Sequence, residues 1–157
     1  MKVFVSHKKE DKEIAGVVAA RLEKNGAQVY LDVFDPDTYS AGDDLADYLR
    51  AKLDLCTDLM AVVSGKTKES WWVPWEIGVA TEKEYPLSTF AGENCEIPAY
   101  LKKWPYLKTV QDIDTYVKVS LQARRVIAEQ YRTKTASQQQ PFYVRQFHAS
   151  LKKALGQ

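Results

Sequence analysis

Cysteine is scarce in this chain: 157 residues hold two, Cys56 and Cys95. Two thiols make no disulfide framework in a chain of this length, and neither lies in a metal-ligand spacing. Cys56 falls in the apolar pattern of a predicted helix and Cys95 in a polar loop, so both read as buried or bystander thiols. Long apolar runs are also missing. Nothing approaches the roughly 20 residues of a membrane span, and no basic segment followed by an apolar stretch opens the chain. A cytoplasmic location and no membrane contact are therefore expected. Charge of one sign is lacking too, with 22 Lys and Arg against 21 Asp and Glu. A formal net charge of +1 gives no field that would draw nucleic acid.

Several chemistries are excluded by what the seven glycines and two histidines do not form. There is no glycine-rich loop of Walker or Rossmann spacing, which removes P-loop NTPases and hydride-transferring dehydrogenases. No Gly-x-Ser-x-Gly elbow is present for acyl transfer. His7 and His148 are far apart in sequence, and His148 falls on a terminal helix where a solvated or packing role is expected. No metal site is expected.

The remaining pattern alternates strand and helix. Lys2–Ser6 predicts a buried strand on Val3, Phe4 and Val5. A helix follows from about Asp11, whose side chain can cap the first turn, with Ile14, Val17, Val18, Arg21 and Leu22 at helical spacing. Asn25-Gly26 ends it. Residues 27–31 predict a second strand and residues 32–42, rich in Asp, Pro, Ser and Gly, a loop. A second helix starting at Asp43 or Asp44 carries Leu45, Tyr48, Leu49, Leu53 and Cys56. Residues 59–64 read as a third strand, and a third helix runs from Ser70 or Trp72 to Glu84. Further on, residues 87–90 and 106–110 suggest short strands. Asp112 is placed as the cap of a long helix with Ile113, Tyr116, Val117, Leu121 and Ile127 on one face. Residues 133–140 are polar and Gln-rich, which suggests a linker. From Pro141 onward Val144, Phe147, Leu151 and Leu155 share a helical stripe that serves either as core or as a surface for a partner.

Such alternation forces right-handed crossovers and a parallel sheet covered on both faces. Ligands in such sheets bind outside the carboxyl ends of the strands. That rule singles out residues 6–11, 32–42 and 64–72.

The most unusual segment is Glu69-Ser70-Trp71-Trp72-Val73-Pro74-Trp75-Glu76-Ile77-Gly78. Three of the four tryptophans stand within five positions. Rings filling the space between helix and sheet account for tryptophan, but not for Glu76, which shares a helix face with Trp72 four residues earlier. That carboxylate is either a solvated charge or a site.

These segments carry a resemblance. Val3-Phe4-Val5-Ser6-His7 followed by Glu10-Asp11 resembles the opening strand and turn of TIR (Toll/interleukin-1 receptor) domains. Asp32, the acidic loop and Ala41-Gly42-Asp43 look like that family's BB loop, and Trp72-x-x-x-Glu76 is similar to the motif of its NAD-cleaving members. The three motifs cover about residues 2 to 85 in order. His7-Lys8-Lys9 departs from the aromatic or Arg-Gly pattern of many relatives.

The resemblance implies a flavodoxin-like three-layer α/β sandwich with a central parallel sheet of about five strands. It implies a TIR domain over residues 1–132, followed by a polar linker and amphipathic helix over 133–157 packed on the same domain. It implies NAD+ as substrate, with no cofactor, and Glu76 as the catalytic carboxylate that stabilises an oxocarbenium-like ribose. Trp72, Ser6, His7, Lys8, Asp32 and Phe34 would meet the nucleotide, although Lys8 also reads as a solvated surface lysine. Asp35, Pro36, Tyr39 and Gly42 would belong to a loop that closes on substrate or packs against a second copy. The product would be ADP-ribose or a cyclic ADP-ribose signal, and a small stand-alone protein of this kind resembles bacterial antiphage (Thoeris-like) members that signal to a separate effector protein. Two rivals stand beside this reading: a non-catalytic module binding other TIR domains, and a nucleoside deoxyribosyltransferase-like enzyme.

Overall fold

The run Val3-Phe4-Val5 cannot be solvated on either side, and in the computed structural model it forms the centre of the molecule. The structure describes residues 1–31, 47, 50–65, 77–78, 80–81, 84–92 and 95–157. Strands β1 (Lys2–Ser6), β2 (Gln28–Leu31), β3 (Asp58–Val62), β4 (Leu87–Phe90) and β5 (Tyr106–Leu107) make one sheet in the order β2-β1-β3-β4-β5. All four pairings are parallel. Parallel strands need crossovers, and the crossovers put helices on both faces. This is the expected flavodoxin-like sandwich.

Side-chain alternation divides the core into two layers. Val3 and Val5 of β1 and Met60 and Val62 of β3 turn to one face. Phe4, Leu59, Ala61 and Val63 turn to the other. The first face is covered by α1 (Lys12–Lys24), α2 (Val110–Gln130) and α3 (Ala136–Ala154). The second receives Leu53, Ile77 and Ala80 from helical residues, together with Leu101 from the 3-10 turn Ala99–Lys103. Among the described residues no helix is long and apolar enough to cross a membrane.

The structure corrects several local expectations. Asp11 precedes α1, yet its side chain makes no capping hydrogen bond, because a 3-10 turn over Lys9–Asp11 leads into the helix and buries it. The buried stripe of α1 is Ala15, Val18, Ala19 and Leu22, while Ile14 and Val17 are 40% and 54% exposed. Arg21 points across to α2, where its Nε donates to Asp114 at 2.7 Å and Asn25 Nδ2 donates to the same carboxylate at 2.7 Å. β5 is two residues long, and Val110 already belongs to α2. The cap of α2 is Thr109, not Asp112. Asp112 sits at the third helical position and returns the bond, closing a reciprocal capping box. Leu121 is exposed, and Ser120 and Ala123 take the buried positions.

The largest correction concerns the Gln-rich stretch. Thr135 caps α3, its hydroxyl accepting from the Gln138 N–H while the Gln138 side chain accepts from the Thr135 N–H. The glutamines are therefore the first turns of a helix rather than linker. Tyr143, Phe147 and Leu151 are buried in the same cluster as β1 and β3, so the stripe is core. His148 packs rather than being solvated. Burial lowers its pKa to about 4, with Lys152 and Lys103 adding to the drop and a hydrogen bond with the Leu87 backbone opposing it.

Candidate active site

The chain runs from β1 to β2 on one side and then crosses back to β3 on the other. The chain leaving β1 turns toward β2 and the chain leaving β3 turns toward β4, so the two depart in opposite directions and open a crevice between the carboxyl ends of β1 and β3. β1 delivers Ser6, His7 and Lys8 to this crevice. β3 delivers Ser64 and Gly65, and the register places Ser6 beside Ala61.

Ser6 and His7 are 1% and 2% exposed. The His7 imidazole folds back on its own strand, with Nδ1 3.2 Å from the Val5 carbonyl oxygen. That contact suits an Nδ1–H donor, and it fixes the ring plane rather than leaving it mobile. Lys8 has extended backbone and starts the 3-10 turn, its carbonyl accepting from the Asp11 N–H at 2.8 Å. Its ammonium lies 3.5 Å from Glu10. Both side chains are partly solvated, so this pair contributes on the order of 0–1 kcal/mol. A compact cation beside a buried serine and an oriented imidazole can hold an anionic, hydroxyl-rich ligand.

Of the residues expected at the site, Ser6, His7 and Lys8 are among the described residues, where they follow one another at the carboxyl end of β1. Asp32, Phe34, Asp35, Pro36, Tyr39, Gly42, Trp72 and Glu76 lie outside the described residues. In sequence, Asp32 follows the last residue of β2, and Glu76 falls between β3 and the helical residue Ile77. Ile77 is buried in the second layer, and its carbonyl accepts from the Thr81 hydroxyl at 2.6 Å.

A polar cluster that the sequence did not reveal lies at the opposite, amino-terminal end of the sheet. Asp58 opens β3 with 0% exposure. Arg124 Nη2 donates to its Oδ2 at 2.7 Å, the Thr57 hydroxyl donates at 2.5 Å and the Tyr143 hydroxyl at 3.3 Å. The Arg124 guanidinium also stacks 4.2 Å from the centroid of the Tyr143 ring. Burial nevertheless pushes the Asp58 carboxyl above its ordinary value, and Arg124 opposes that rise. Burial and the Asp58 charge raise the Tyr116 phenol well above the usual range and raise Tyr143 likewise. An aspartate just before an apolar run reads as a turn residue, so only the distant Arg124 and Tyr143 expose its role. The cluster ties α2 and α3 to β3, far from the crevice in topology.

No curated protein matches this chain. A profile of the TIR domain matches residues 3–127, from the first buried residue of β1 to within α2. That match covers most of the chain, agrees with the five-stranded parallel sheet, and establishes that the chain belongs to the TIR domain family.

Proposed function

We propose that this TIR domain cleaves the nicotinamide–ribose bond of NAD+, with Glu76 as its catalytic carboxylate. The observation that carries the reading is the family match across residues 3–127, a span that includes Trp72-x-x-x-Glu76 in the segment following β3. The crevice rule supports it, because that segment leaves the carboxyl end of the strand beside Ser6.

One carboxylate suffices for this chemistry. Breaking an ordinary glycosidic bond takes an acid to protonate the leaving alkoxide. Nicotinamide in NAD+ is already cationic on its ring nitrogen. When the C1′–N bond breaks, the electron pair goes to that nitrogen and the base departs neutral. Positive charge grows on the anomeric carbon instead. An ionised carboxylate about 4 Å away supplies on the order of 4 kcal/mol at an effective dielectric near 20, worth roughly a thousandfold in rate when preorganised. In this reading Trp72 walls the pocket, Lys8 meets the pyrophosphate, and Ser6 and His7 line the ribose side. Asp32 and Phe34 complete the nucleotide contacts. Attack by water gives ADP-ribose and a proton, whereas attack by a hydroxyl of the same molecule gives a cyclic product. Assembly through the loop bearing Asp35, Pro36, Tyr39 and Gly42 brings the site to its active form. The released nucleotide then acts as an immune signal read by a separate effector.

The test compares nicotinamide release from NAD+ by wild type and Glu76→Gln, at high protein concentration with a crowding agent. The reading expects release by wild type and none by the variant, with product mass and retention separating hydrolase from cyclase. An assembled wild-type protein that leaves NAD+ intact is a non-catalytic interaction module. Consumption of deoxynucleosides with NAD+ untouched identifies a deoxyribosyltransferase-like enzyme.

A further inference from the structure

A parallel sheet has two edges, and one of them is β5. The Thr89 and Ala91 N–H groups donate to the Pro105 and Leu107 carbonyls at 3.0 and 2.9 Å, so these two residues face inward to β4. Strand geometry then turns the backbone groups of Trp104, Tyr106 and Lys108 outward, where an added strand would bind. All three outward N–H groups are taken within the chain. Trp104 donates to the Leu101 carbonyl at 3.1 Å and Lys108 to Asp112 Oδ2 at 2.9 Å. Both closures are local in sequence and belong to rigid turns.

The third is different. The Tyr106 N–H donates to Gln157 Oε1 at 3.1 Å across a sequence separation of 51, and Gln157 Nε2 donates back to the Tyr106 carbonyl. A carboxamide has the donor and acceptor of a peptide group, so Gln157 stands where the backbone of a sixth strand would. It is delivered there by the end of α3. Gly156 adopts φ 70°, its N–H donates to the Lys153 carbonyl and the Gln157 N–H to the Lys152 carbonyl, which together close a Schellman motif. Lys152 Nζ further ties this end of α3 to the Lys102 carbonyl at 3.2 Å.

We infer that Gln157 is a detachable plug on the β5 edge, and that its withdrawal opens Tyr106 to pairing with the same edge of a second copy. The geometry favours a second copy over other extended segments. In an antiparallel pair two facing residues exchange both of their backbone bonds. Tyr106 facing its own counterpart across a two-fold axis would use only the two groups that Gln157 now occupies. A longer foreign strand would also need the donors of Trp104 and Lys108, which the turns have already consumed. Two hydrogen bonds make a weak contact alone, so the plug sets whether copies brought together elsewhere become locked in register.

The experiment measures sedimentation over a concentration series together with amide exchange at Tyr106, for wild type, Gln157→Ala and Gly156→Ala. The second variant displaces the plug by its backbone, since a Cβ there meets nothing within 4 Å but the φ is unfavourable. Thermal unfolding confirms that each variant is folded. Both variants are expected to exchange Tyr106 about tenfold faster when dilute and to self-associate about fivefold more tightly, with Tyr106 protected again once associated. Association no tighter than wild type overturns the proposal. So does tighter association that leaves Tyr106 unprotected, which would place the contact on another surface.

Discussion

The Arg124 guanidinium lies 2.7 Å from the fully buried Asp58 carboxylate while keeping about a third of its own side chain in water. The two partners therefore stand in unequal positions. Removing the arginine leaves a buried anion with nothing but hydroxyls. Removing the carboxylate leaves a cation that still reaches solvent.

The first prediction follows from that inequality. Arg124→Met should destabilise the fold by about 3–5 kcal/mol, and Asp58→Asn by about 1–2 kcal/mol, the loss of charged hydrogen bonds. The variants should also differ in pH response. Burial holds the Asp58 carboxyl above its unfolded value, and losing Arg124 raises it further. A raised carboxyl contributes stability below the unfolded pKa and loses it as pH rises through the folded pKa. Arg124→Met should thus be closer to wild type at pH 5 than at pH 8 in urea titrations. A pH-independent deficit would mean that the arginine acts through packing on Tyr143 alone.

His148 sets an acid limit. Its folded pKa, lowered to about 4 by burial, lies below the ordinary histidine value. Such a group stabilises the fold above the unfolded pKa near 6.5 and loses that contribution as pH falls toward 4. The full loss is at most about 3 kcal/mol, discounted because part of the ring remains exposed. The unfolding free energy should fall as pH drops from 7 to 4 for wild type and fall less for His148→Gln, as read from denaturation midpoints.

The third helix should prove indispensable. Phe147 is fully buried against Tyr116 and Tyr143, with ring centroids 5.6 and 5.9 Å away. Phe147→Ala should cost about 3–5 kcal/mol, a large part of the 5–15 kcal/mol that holds an ordinary domain. A chain cut after residue 132 should give poorly dispersed NMR spectra, although the family match ends at residue 127.

Lys8 offers a kinetic test of the proposed site. If its ammonium meets the pyrophosphate in ground and transition states alike, Lys8→Ala should raise KM for NAD+ by about three- to tenfold and leave kcat nearly unchanged. A fall in kcat at constant KM would assign Lys8 to the bond-breaking step instead.

The strands were legible because Val3-Phe4-Val5 and residues 59–63 are apolar on consecutive positions, a pattern that only a doubly covered sheet satisfies. The order of motifs likewise pointed to the family. Helix phase was less legible: small residues Ala15 and Ala19 fill the α1 interface, where a search for large side chains selects Ile14 and Val17. The start of α3 was hidden by composition, since glutamines suggest a linker. The Thr135-x-x-Gln138 capping box was the available signal. Asp58 left little local trace because two of its three partners, Arg124 and Tyr143, are 66 and 85 residues away. Of the expected site residues, Ser6, His7 and Lys8 are consecutive at the carboxyl end of β1, and those of the 32–42 and 70–76 segments lie outside the described residues.

The way α3 seals the layer over Val3 and Val5 bears on how the chain is made. Synthesis delivers β1 first, and the helix that shields it is more than 130 residues behind. Contacts of such long separation slow folding and leave apolar strands uncovered meanwhile. The parallel sheet therefore cannot reach its final packing on the ribosome until α3 has emerged. Until then β1 and β3 are the segments that a holding chaperone would be selected to bind.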